Sequence, residues 1–333
     1  MGGDAARGEQ GGNMSAELEQ HIEHEGTHEA SPCGMDVQGG CAHARPEFDT
    51  PIVRMPSPST QLADDVEDAY KLHRRFDRVG RLVGDDGMAR LMNARVMVVG
   101  AGGVGSFAAE SLGRSGIGRL TLVDFDLVCV TNTNRQLQAM RGTIGKTKVD
   151  VLADRLRLIN PQAVITPVRS FYSRDTADAL LAEPPDFVVD AIDNITAKCH
   201  LIATCRERGI PLVSSMGASG RMDTTALRTA DLAQTKMDPM AVAVRQILRQ
   251  RYGFPQKGPF GVPAVYSEEV PRKPIELHYD GGQGFRCVCP NSDNGLHTCE
   301  ERALIYGTAS FVTGAFGLAC AGHVVRTLSG VGA

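Results

Sequence analysis

A glycine-rich loop is the first segment of this chain whose residue types and spacing could do chemistry. Gly100, Gly102, Gly103 and Gly105 follow an apolar run and precede a segment with one apolar helical face. Glycines let the backbone approach phosphate groups closely, and the N-terminus of the next helix offers N–H donors and a favourable dipole. The order of these features predicts a site for the phosphates of a nucleotide.

An acidic residue extends this prediction to the ribose. Asp124 ends the next apolar run, roughly twenty residues after the loop, where a carboxylate can accept hydrogen bonds from ribose hydroxyls. Glycine loop and acid together are as typical of NAD sites as of ATP sites. The choice between hydride transfer and nucleotidyl transfer therefore depends on the residues that follow.

Charged and amide side chains beyond the acid favour adenylation. They are Asp126, Asn132, Arg135, Gln136, Lys148 and Asp193. Arginine binds phosphate in a bidentate manner, lysine supplies a point charge, and aspartate can hold Mg²⁺ between phosphate oxygens. A hydride-transfer site needs few cations near the reacting carbon, whereas an adenylation site must neutralise a triphosphate and release pyrophosphate.

Apolar runs that alternate with amphipathic segments predict the framework of this site. Predicted strands span residues 95–99, 120–123, 164–168, 187–190 and 211–215, and predicted helices span 68–91, 106–115, 146–159, 196–208 and 237–252. Residues 253–300 are predicted as a long loop. The small-residue-rich segment 306–328, with His323 inside it, is predicted as a buried helix and not a membrane span. The pattern predicts an α/β fold with a Rossmann-like, doubly wound, mostly parallel sheet and a C-terminal α+β extension.

Composition narrows the classes to which this protein can belong, and it divides the chain into a leader and a folded part. The 333 residues carry a net charge of -4 and nine cysteines, without a secretory signal pattern. We expect a cytoplasmic protein whose cysteines are free thiols or metal ligands and not disulfides, with mitochondrial association left open. Bulk charge gives no argument for nucleic-acid binding. Residues 1–65 are predicted to be a disordered leader. Residues 66–330 should form one adenylating domain, with a nucleotide-binding part at 66–216 and a substrate and dimer part at 217–330.

The ordered motifs resemble the ThiF-type adenylating superfamily over about residues 70–330. The shared features are a GxGGxG loop, a D-x-D after the second strand, an N-x-x-R-Q segment, a helical lysine and a D-x-x-D-N turn. The resemblance implies ATP and Mg²⁺, with Asp124 at the ribose, Asp193 at the metal, and Asn132, Arg135 and Lys148 at the phosphates. Arg81 matches an arginine that enters the partner subunit's site, which implies a homodimer. The expected catalytic set is Arg81, Arg135, Lys148 and Asp193; the expected nucleotide-binding set is Gly100, Gly102, Gly103, Gly105, Asp124, Asp126, Asn132 and Gln136.

One branch of the superfamily, the tRNA threonylcarbamoyladenosine dehydratases, is especially similar. The matching segments are 75–76, 81–84, 131–136, 238–239 and 311–317. Sulfur-carrier activators usually have leucine at the position of Thr133 and two zinc-binding Cys-x-x-Cys pairs, which this chain lacks. The resemblance implies ATP-dependent cyclisation of N6-threonylcarbamoyladenosine in ANN-decoding tRNA, through an acyl-adenylate that the substrate's own carbamoyl nitrogen attacks.

Two other functions stay open at this stage. The chain could activate a ubiquitin-like or sulfur-carrier protein, or it could be a ThiF-like binding module without catalysis. Arg135, Lys148 and Asp193 count against the second of these. A sulfur-relay protein partner is left open, and no DNA partner is expected.

Cysteines and basic residues near the C-terminus supply the last candidates. Cys287, Cys289 and Cys299, with His297 nearby, could bind Zn²⁺, although Cys-x-Cys is tighter than the usual spacer; the alternative is a set of loop thiols. The candidate RNA contacts are Arg245, Arg249, Arg251, Lys257, Arg272 and Lys273.

Overall fold

The computed structural model describes residues 74–275, 277 and 306–331. The predicted leader 1–65 and the cysteine cluster Cys287, Cys289 and Cys299 lie outside the described residues. Within them, the helices are α1 (Asp77–Asn93), α2 (Gly103–Arg114), α3 (Lys148–Ile159), α4 (Arg174–Leu180), α5 (Ile195–Glu207), α6 (Pro239–Arg251) and α7 (Ser310–Ser329). The strands are β1 (Arg95–Val99), β2 (Arg119–Val123), β3 (Val164–Val168), β4 (Phe187–Asp190), β5 (Leu212–Ser215), β6 (Leu227–Asp231) and β7 (Pro263–Ser267).

The strands form one sheet in the order β3-β2-β1-β4-β5-β7-β6, parallel except for the antiparallel β6–β7 pair. Val96 of β1 lies opposite Leu120 of β2 and Phe187 of β4. The chain leaves β1 toward β2 and β3, then returns to β4 on the other side. A crevice therefore opens between the ends of β1 and β4, where open α/β sheets bind ligands. The predicted α/β, doubly wound class is confirmed.

Helices cover both faces of the sheet, so β1 buries alternate residues in two different cores. Val96 and Val98 pack with α1, α2, α3 and α7 in one core, while Met97 and Val99 pack with α4, α5 and α6 in the other. Strands buried on both faces read as continuous apolar runs rather than as alternating ones. This is why five-residue runs were sufficient to predict the central strands.

The prediction of a long loop over residues 253–300 is wrong in one part, because β7 lies inside it. Pro263–Ser267 pairs with β5 in parallel and with β6 in antiparallel orientation, and Ala264 and Val265 are fully buried. The run is short and lies in a segment rich in glycine and proline, so local pattern hides it. The edge strand β6 and the short helix α4 were also not predicted.

Helix α7 begins at Ser310 and not at 306, and one of its sides is buried in the core. Its length and apolar composition would also suit a membrane span. One side packs closely on α2: a Cβ on Gly317 would lie 2.3 Å from the carbonyl oxygen of Val104. Val312 and Phe316 are fully buried in the core shared with β1.

Candidate nucleotide-binding and active site

The glycine loop after β1 is shaped by two glycines and left open at a third. Gly100 has a φ of +95°, and a Cβ there would lie 2.6 Å from the carbonyl oxygen of Ala191. A Cβ on Gly105 would lie 1.7 Å from the Gly100 oxygen, whereas the nearest atom to a Cβ on Gly102 is 4.0 Å away. Gly102 is also the N-cap of α2 and has no side chain to cap it. The amides of the first turn of α2 are therefore suited to anionic oxygens.

Asp124 joins this loop to the end of β2. Its Oδ2 accepts a hydrogen bond from the Ala101 N–H at 2.7 Å, and its Oδ1 accepts one from the Asp126 N–H at 2.8 Å. Burial raises the pKa of the Asp124 carboxyl above its usual value, against the opposing influence of Lys148. Asp124 therefore holds the loop in place, and its contact with a ribose stays a prediction.

Lys148 brings three of the expected acidic residues together. It is the first residue of α3, it is buried, and its Nζ donates to Asp126 Oδ2 at 2.7 Å. Burial by itself lowers the pKa of Lys148, but the charges of Asp124, Asp126 and Asp193 outweigh burial and raise it. A cation held among carboxylates from the ends of β2 and β4 remains charged at neutral pH, as a phosphate-binding lysine must.

Amide side chains fix the segment after β2 against the glycine loop. Asn132 Oδ1 accepts from the Cys129 N–H at 3.0 Å. Gln138 Nε2 donates to the carbonyl oxygen of Ala101 at 2.6 Å and to Gln136 Oε1 at 3.2 Å. Asn132, Gln136 and Gln138 are all buried. The sequence did not single out Gln138, although its place two residues after the N-x-x-R-Q segment could have suggested it.

Arg135 lies at the edge of this segment and is partly exposed. Its Nη1 donates to the carbonyl oxygen of Thr131 at 3.0 Å and to Asn134 Oδ1 at 2.9 Å. Asn134 in turn donates to the carbonyl oxygen of Thr308, just before α7, at 2.9 Å. The guanidinium group is thus held at the rim of the site, where it can meet an incoming anion.

Asp193 lies in the turn between β4 and α5 and is exposed. Asn194 caps α5 by accepting a hydrogen bond from the Ala197 N–H at 2.9 Å. Beneath the turn, Lys198 and Asp190 form a fully buried ion pair of 2.8 Å. Sequence reasoning did not identify Lys198; a lysine in the otherwise apolar face of α5 was the available signal.

These residues are compatible with a triphosphate and a divalent cation. The glycine loop is open at Gly102, Lys148 is charged, and Asp193 presents an exposed carboxylate. Across residues 74–275 and 306–331, no group of three histidine, cysteine or acidic side chains could hold a metal. Mg²⁺ commonly binds through one or two carboxylates together with substrate phosphates, and the exposed carboxylate of Asp193 fits that kind of ligand set.

Arg81 and two of the predicted RNA contacts, Arg245 and Arg249, interact with residues outside the cluster around Lys148. Arg81 is 75% exposed and pairs with Asp77 within α1 at 2.9 Å. Arg245 is partly buried and donates to the carbonyl oxygen of Thr235 at 3.1 Å, so it stabilises the start of α6. The guanidinium group of Arg249 lies 5.1 Å from the ring centre of Phe260.

Known proteins share this chain's sequence and fold. A model of the ThiF family matches residues 76–333. The chain belongs to the ThiF family. This ThiF-family chain is 38% identical over 265 residues to the tRNA threonylcarbamoyladenosine dehydratase of Escherichia coli (strain K12), covering 79% of this chain and 96% of that protein. It is 39% identical over 262 residues to the Bacillus subtilis (strain 168) tRNA threonylcarbamoyladenosine dehydratase, covering 77% of this chain and 95% of that protein.

A solved structure supports the same relationship. The crystal structure of the Escherichia coli tRNA N6-threonylcarbamoyladenosine dehydratase in complex with ATP superposes with a TM-score of 0.67. The two sequences are 36% identical, and the match covers 80% of this chain and 98% of that one. The shared fold therefore includes the region beyond β5 as well as the nucleotide-binding strands.

Proposed function

We propose that this protein uses ATP to dehydrate N6-threonylcarbamoyladenosine in tRNA, closing its side chain into a ring through an acyl-adenylate. The observation that carries the proposal is the match to dehydratases over nearly their whole length, 96% of the Escherichia coli enzyme. A match confined to the nucleotide-binding part would have indicated adenylation without indicating the substrate. The cluster around Lys148 supplies the charges that the first step requires.

In the first step, a carboxylate oxygen of the substrate attacks the α-phosphorus of ATP and pyrophosphate leaves. The loop amides and the N-terminus of α2 bind phosphate oxygens, while Lys148 and Arg135 neutralise the charge of the leaving group. Mg²⁺ held by Asp193 would supply further neutralisation. Asp124 and Asp126 keep Lys148 charged and in place until the nucleotide arrives.

In the second step, the carbamoyl nitrogen of the same side chain attacks the acyl carbon. The new N–C bond forms as the C–O bond to AMP breaks, and the proton of the nitrogen passes to the departing AMP phosphate. Because nucleophile and electrophile belong to one side chain, proximity supplies much of the rate, and an enzyme nucleophile is not needed. The protein's task in this step is to hold the adenylate and exclude water.

We also propose a homodimer in which Arg81 completes the partner subunit's site. The exposure of Arg81 leaves its guanidinium group available for such a contact. Its neighbour Leu82 and, on α7, Phe311 and Leu318 are large apolar residues that are at least half exposed. Subunits carrying Arg81→Ala mixed with subunits carrying Lys148→Ala should regain activity, because one site of each mixed dimer has both groups. Exchanged heterodimers that stay inactive would contradict the assignment.

The other expectations belong to the same proposal. The substrate tRNAs would be ANN-decoding and carry threonylcarbamoyladenosine, and residues 217–330 would contribute the substrate and dimer surfaces. We further propose Mg²⁺ as the working cation and a cytoplasmic location. A zinc ion at Cys287, Cys289 and Cys299 and a sulfur-relay protein partner require their own tests, by metal analysis and by pull-down.

The decisive experiment supplies ATP together with tRNA that carries the uncyclised nucleoside. We expect AMP release and, in nucleosides analysed by mass spectrometry, loss of one water from threonylcarbamoyladenosine. Lys148→Ala should abolish both signals while keeping the fold, as judged by circular dichroism. AMP release that depends on a carrier protein and not on tRNA would instead assign the chain to the carrier-activating enzymes.

A further inference from the structure

A buried charge cluster lies directly beneath the turn that carries Asp193. Lys198 Nζ donates to Asp190 Oδ2 at 2.8 Å, to the carbonyl oxygen of Ser215 at 2.9 Å and to Ser214 Oγ at 3.4 Å. Ser214 Oγ donates to the same Asp190 oxygen at 2.6 Å. Lys198, Asp190 and Ser214 are fully buried, and all three ammonium donors have a partner.

This cluster connects three elements at the edge of the nucleotide site. Asp190 is the last residue of β4, Ser214 lies on β5, and Lys198 is in the first turns of α5. The other oxygen of Asp190, Oδ1, accepts a hydrogen bond from the Ile192 N–H at 3.1 Å. The cluster therefore fixes the backbone immediately before Asp193.

The same turn is in contact with the glycine loop. The Ala191 N–H donates to the carbonyl oxygen of Val99 at 2.9 Å. The Ala191 carbonyl oxygen is so close to Gly100 that a Cβ there would lie 2.6 Å from it. A displacement of residues 191–194 would therefore move both the carboxylate of Asp193 and the loop that receives the phosphates.

Stability alone is a poor reason for such a cluster. Burying a lysine and an aspartate carries a large desolvation cost, and apolar residues of similar volume often serve stability as well or better. What a fully satisfied ion pair adds is a fixed geometry, because any shift leaves a buried charge without its partner. A fixed geometry is useful where a 1 Å displacement of a reacting group matters.

We propose that Lys198, Asp190 and Ser214 are positioning residues that hold the turn 191–194, so that Asp193 and the glycine loop meet ATP in one geometry. The inference rests on the role proposed above for Asp193. Lys198 does not touch the nucleotide; it acts through the backbone that carries the carboxylate.

Ser214→Ala is the main test, because it removes the two hydrogen bonds that Ser214 Oγ makes with Lys198 and Asp190 and leaves the ion pair. Lys198→Met is the stronger variant. Val213→Ala is the matched control: Val213 is the preceding residue of β5, is equally buried and packs in the opposite core. We expect AMP formation at saturating ATP to fall on the order of tenfold for Ser214→Ala and about a hundredfold for Lys198→Met, and to change little for Val213→Ala.

Two further readouts separate positioning from general destabilisation. Amide hydrogen exchange of nucleotide-free protein should accelerate at Ile192 and Asp193 in Ser214→Ala and stay unchanged there in Val213→Ala. In kinetics, Ser214→Ala should slow the Asp193→Asn protein much less than it slows the wild type, because most of its effect acts through the same carboxylate and only the part that acts through the glycine loop remains.

Unchanged exchange at residues 191–194 in Ser214→Ala, or a double variant whose defect is the product of the two single defects, would overturn the inference. If Lys198→Met does not fold, Ser214→Ala still decides the question. If Asp193→Asn keeps full activity, the role proposed for Asp193 fails. The exchange measurement then still shows whether the cluster holds the turn.

Discussion

Replacing Gly105 by alanine should damage both stability and nucleotide binding. The added Cβ would lie 1.7 Å from the carbonyl oxygen of Gly100, and Cβ contacts shorter than 3.0 Å essentially never occur. The added Cβ and the carbonyl oxygen of Gly100 must therefore move apart by at least 3.0 − 1.7 = 1.3 Å. Neither side yields easily, because Gly100 is hydrogen-bonded to Val123 at 2.8 Å and abuts Ala191.

The sign of the effect follows from two opposing magnitudes. Alanine in place of glycine favours a helix by at most about 1 kcal/mol, whereas overpacking a closed site costs about 1–3 kcal/mol or more. Backbone atoms cannot rotate away as a flexible side chain would, so we expect the upper end of that cost. The net loss of about 2 kcal/mol should lower the Tm of the nucleotide-free protein by roughly 4–8 °C in a domain of this size.

Gly102→Ala is the matched control in the same loop. Its Cβ would have no neighbour nearer than Gln136 Nε2 at 4.0 Å, so the Tm should change by less than about 3 °C. Its ATP affinity should nevertheless fall, because the open space beside Gly102 is where we place the phosphates. Thermal melts by circular dichroism and calorimetric titration with ATP measure both quantities. A Gly105→Ala protein with wild-type Tm and ATP affinity would refute the described packing of the loop.

Four further outcomes test the site and its surroundings. ATP should bind in calorimetric titrations and NAD should not, since the charges around Lys148 suit a triphosphate; tight NAD binding without ATP binding would contradict this. Asp193→Asn should impair AMP formation far more than folding, most strongly at limiting Mg²⁺, and normal turnover there would make Asp193 structural. Burial raises the pKa of the Glu110 carboxyl, but Arg155 and Arg114 outweigh burial and hold this pKa below its ordinary 4.5. The ion pairs therefore stabilise the fold fully above pH 4.5, and this stabilisation is lost as the pH falls through the lowered pKa. The difference in unfolding free energy between the wild type and Glu110→Gln should shrink on acidification, and a constant difference would refute the pairing. Cys129→Ser should still make the cyclic nucleoside, and a trapped enzyme thioester would disprove the proposed ring closure.

The sequence predicts the central strands well because the whole signal for each strand lies within one short segment. Residues 95–99 and 187–190 are mainly apolar runs bounded by polar or turn residues, and β1 and β4 have those same bounds; the predicted bounds 164–168 of the edge strand β3 are also those of the structure. The strands β6 and β7 lack such a signal. Leu227–Asp231 is a largely polar edge strand, and Pro263–Ser267 follows a glycine- and proline-rich turn. β7 pairs with β5, where Ala264 lies opposite Ser214, and β6 pairs with β7, so neither pairing is visible in a local stretch of sequence.

The same distinction applies to the site. Residues that occur in short ordered motifs, such as Asp126 and Lys148, were found from sequence and lie together in the structure. Residues whose partners are remote were missed. Gln138 bonds to Ala101, 37 residues away, and Lys198 bonds to Ser215, 17 residues away. A buried polar side chain shows its purpose only when its partner is known, and the fold supplies that partner.

The packing of α7 connects the C-terminal part of the described chain to the helix that begins at the glycine loop. Gly317 lets α7 approach the backbone of α2 at Val104, and a Cβ on Gly103 would lie 3.1 Å from Thr313 of α7. The helix α2, whose N-terminus we propose to face the phosphates, is therefore held in place by the C-terminal helix α7. Because α7 shares one core with β1, we propose that a substrate bound beside α7 is kept in fixed register with the adenylation chemistry. An acyl-adenylate that must close on its own side chain before water reaches it requires that register.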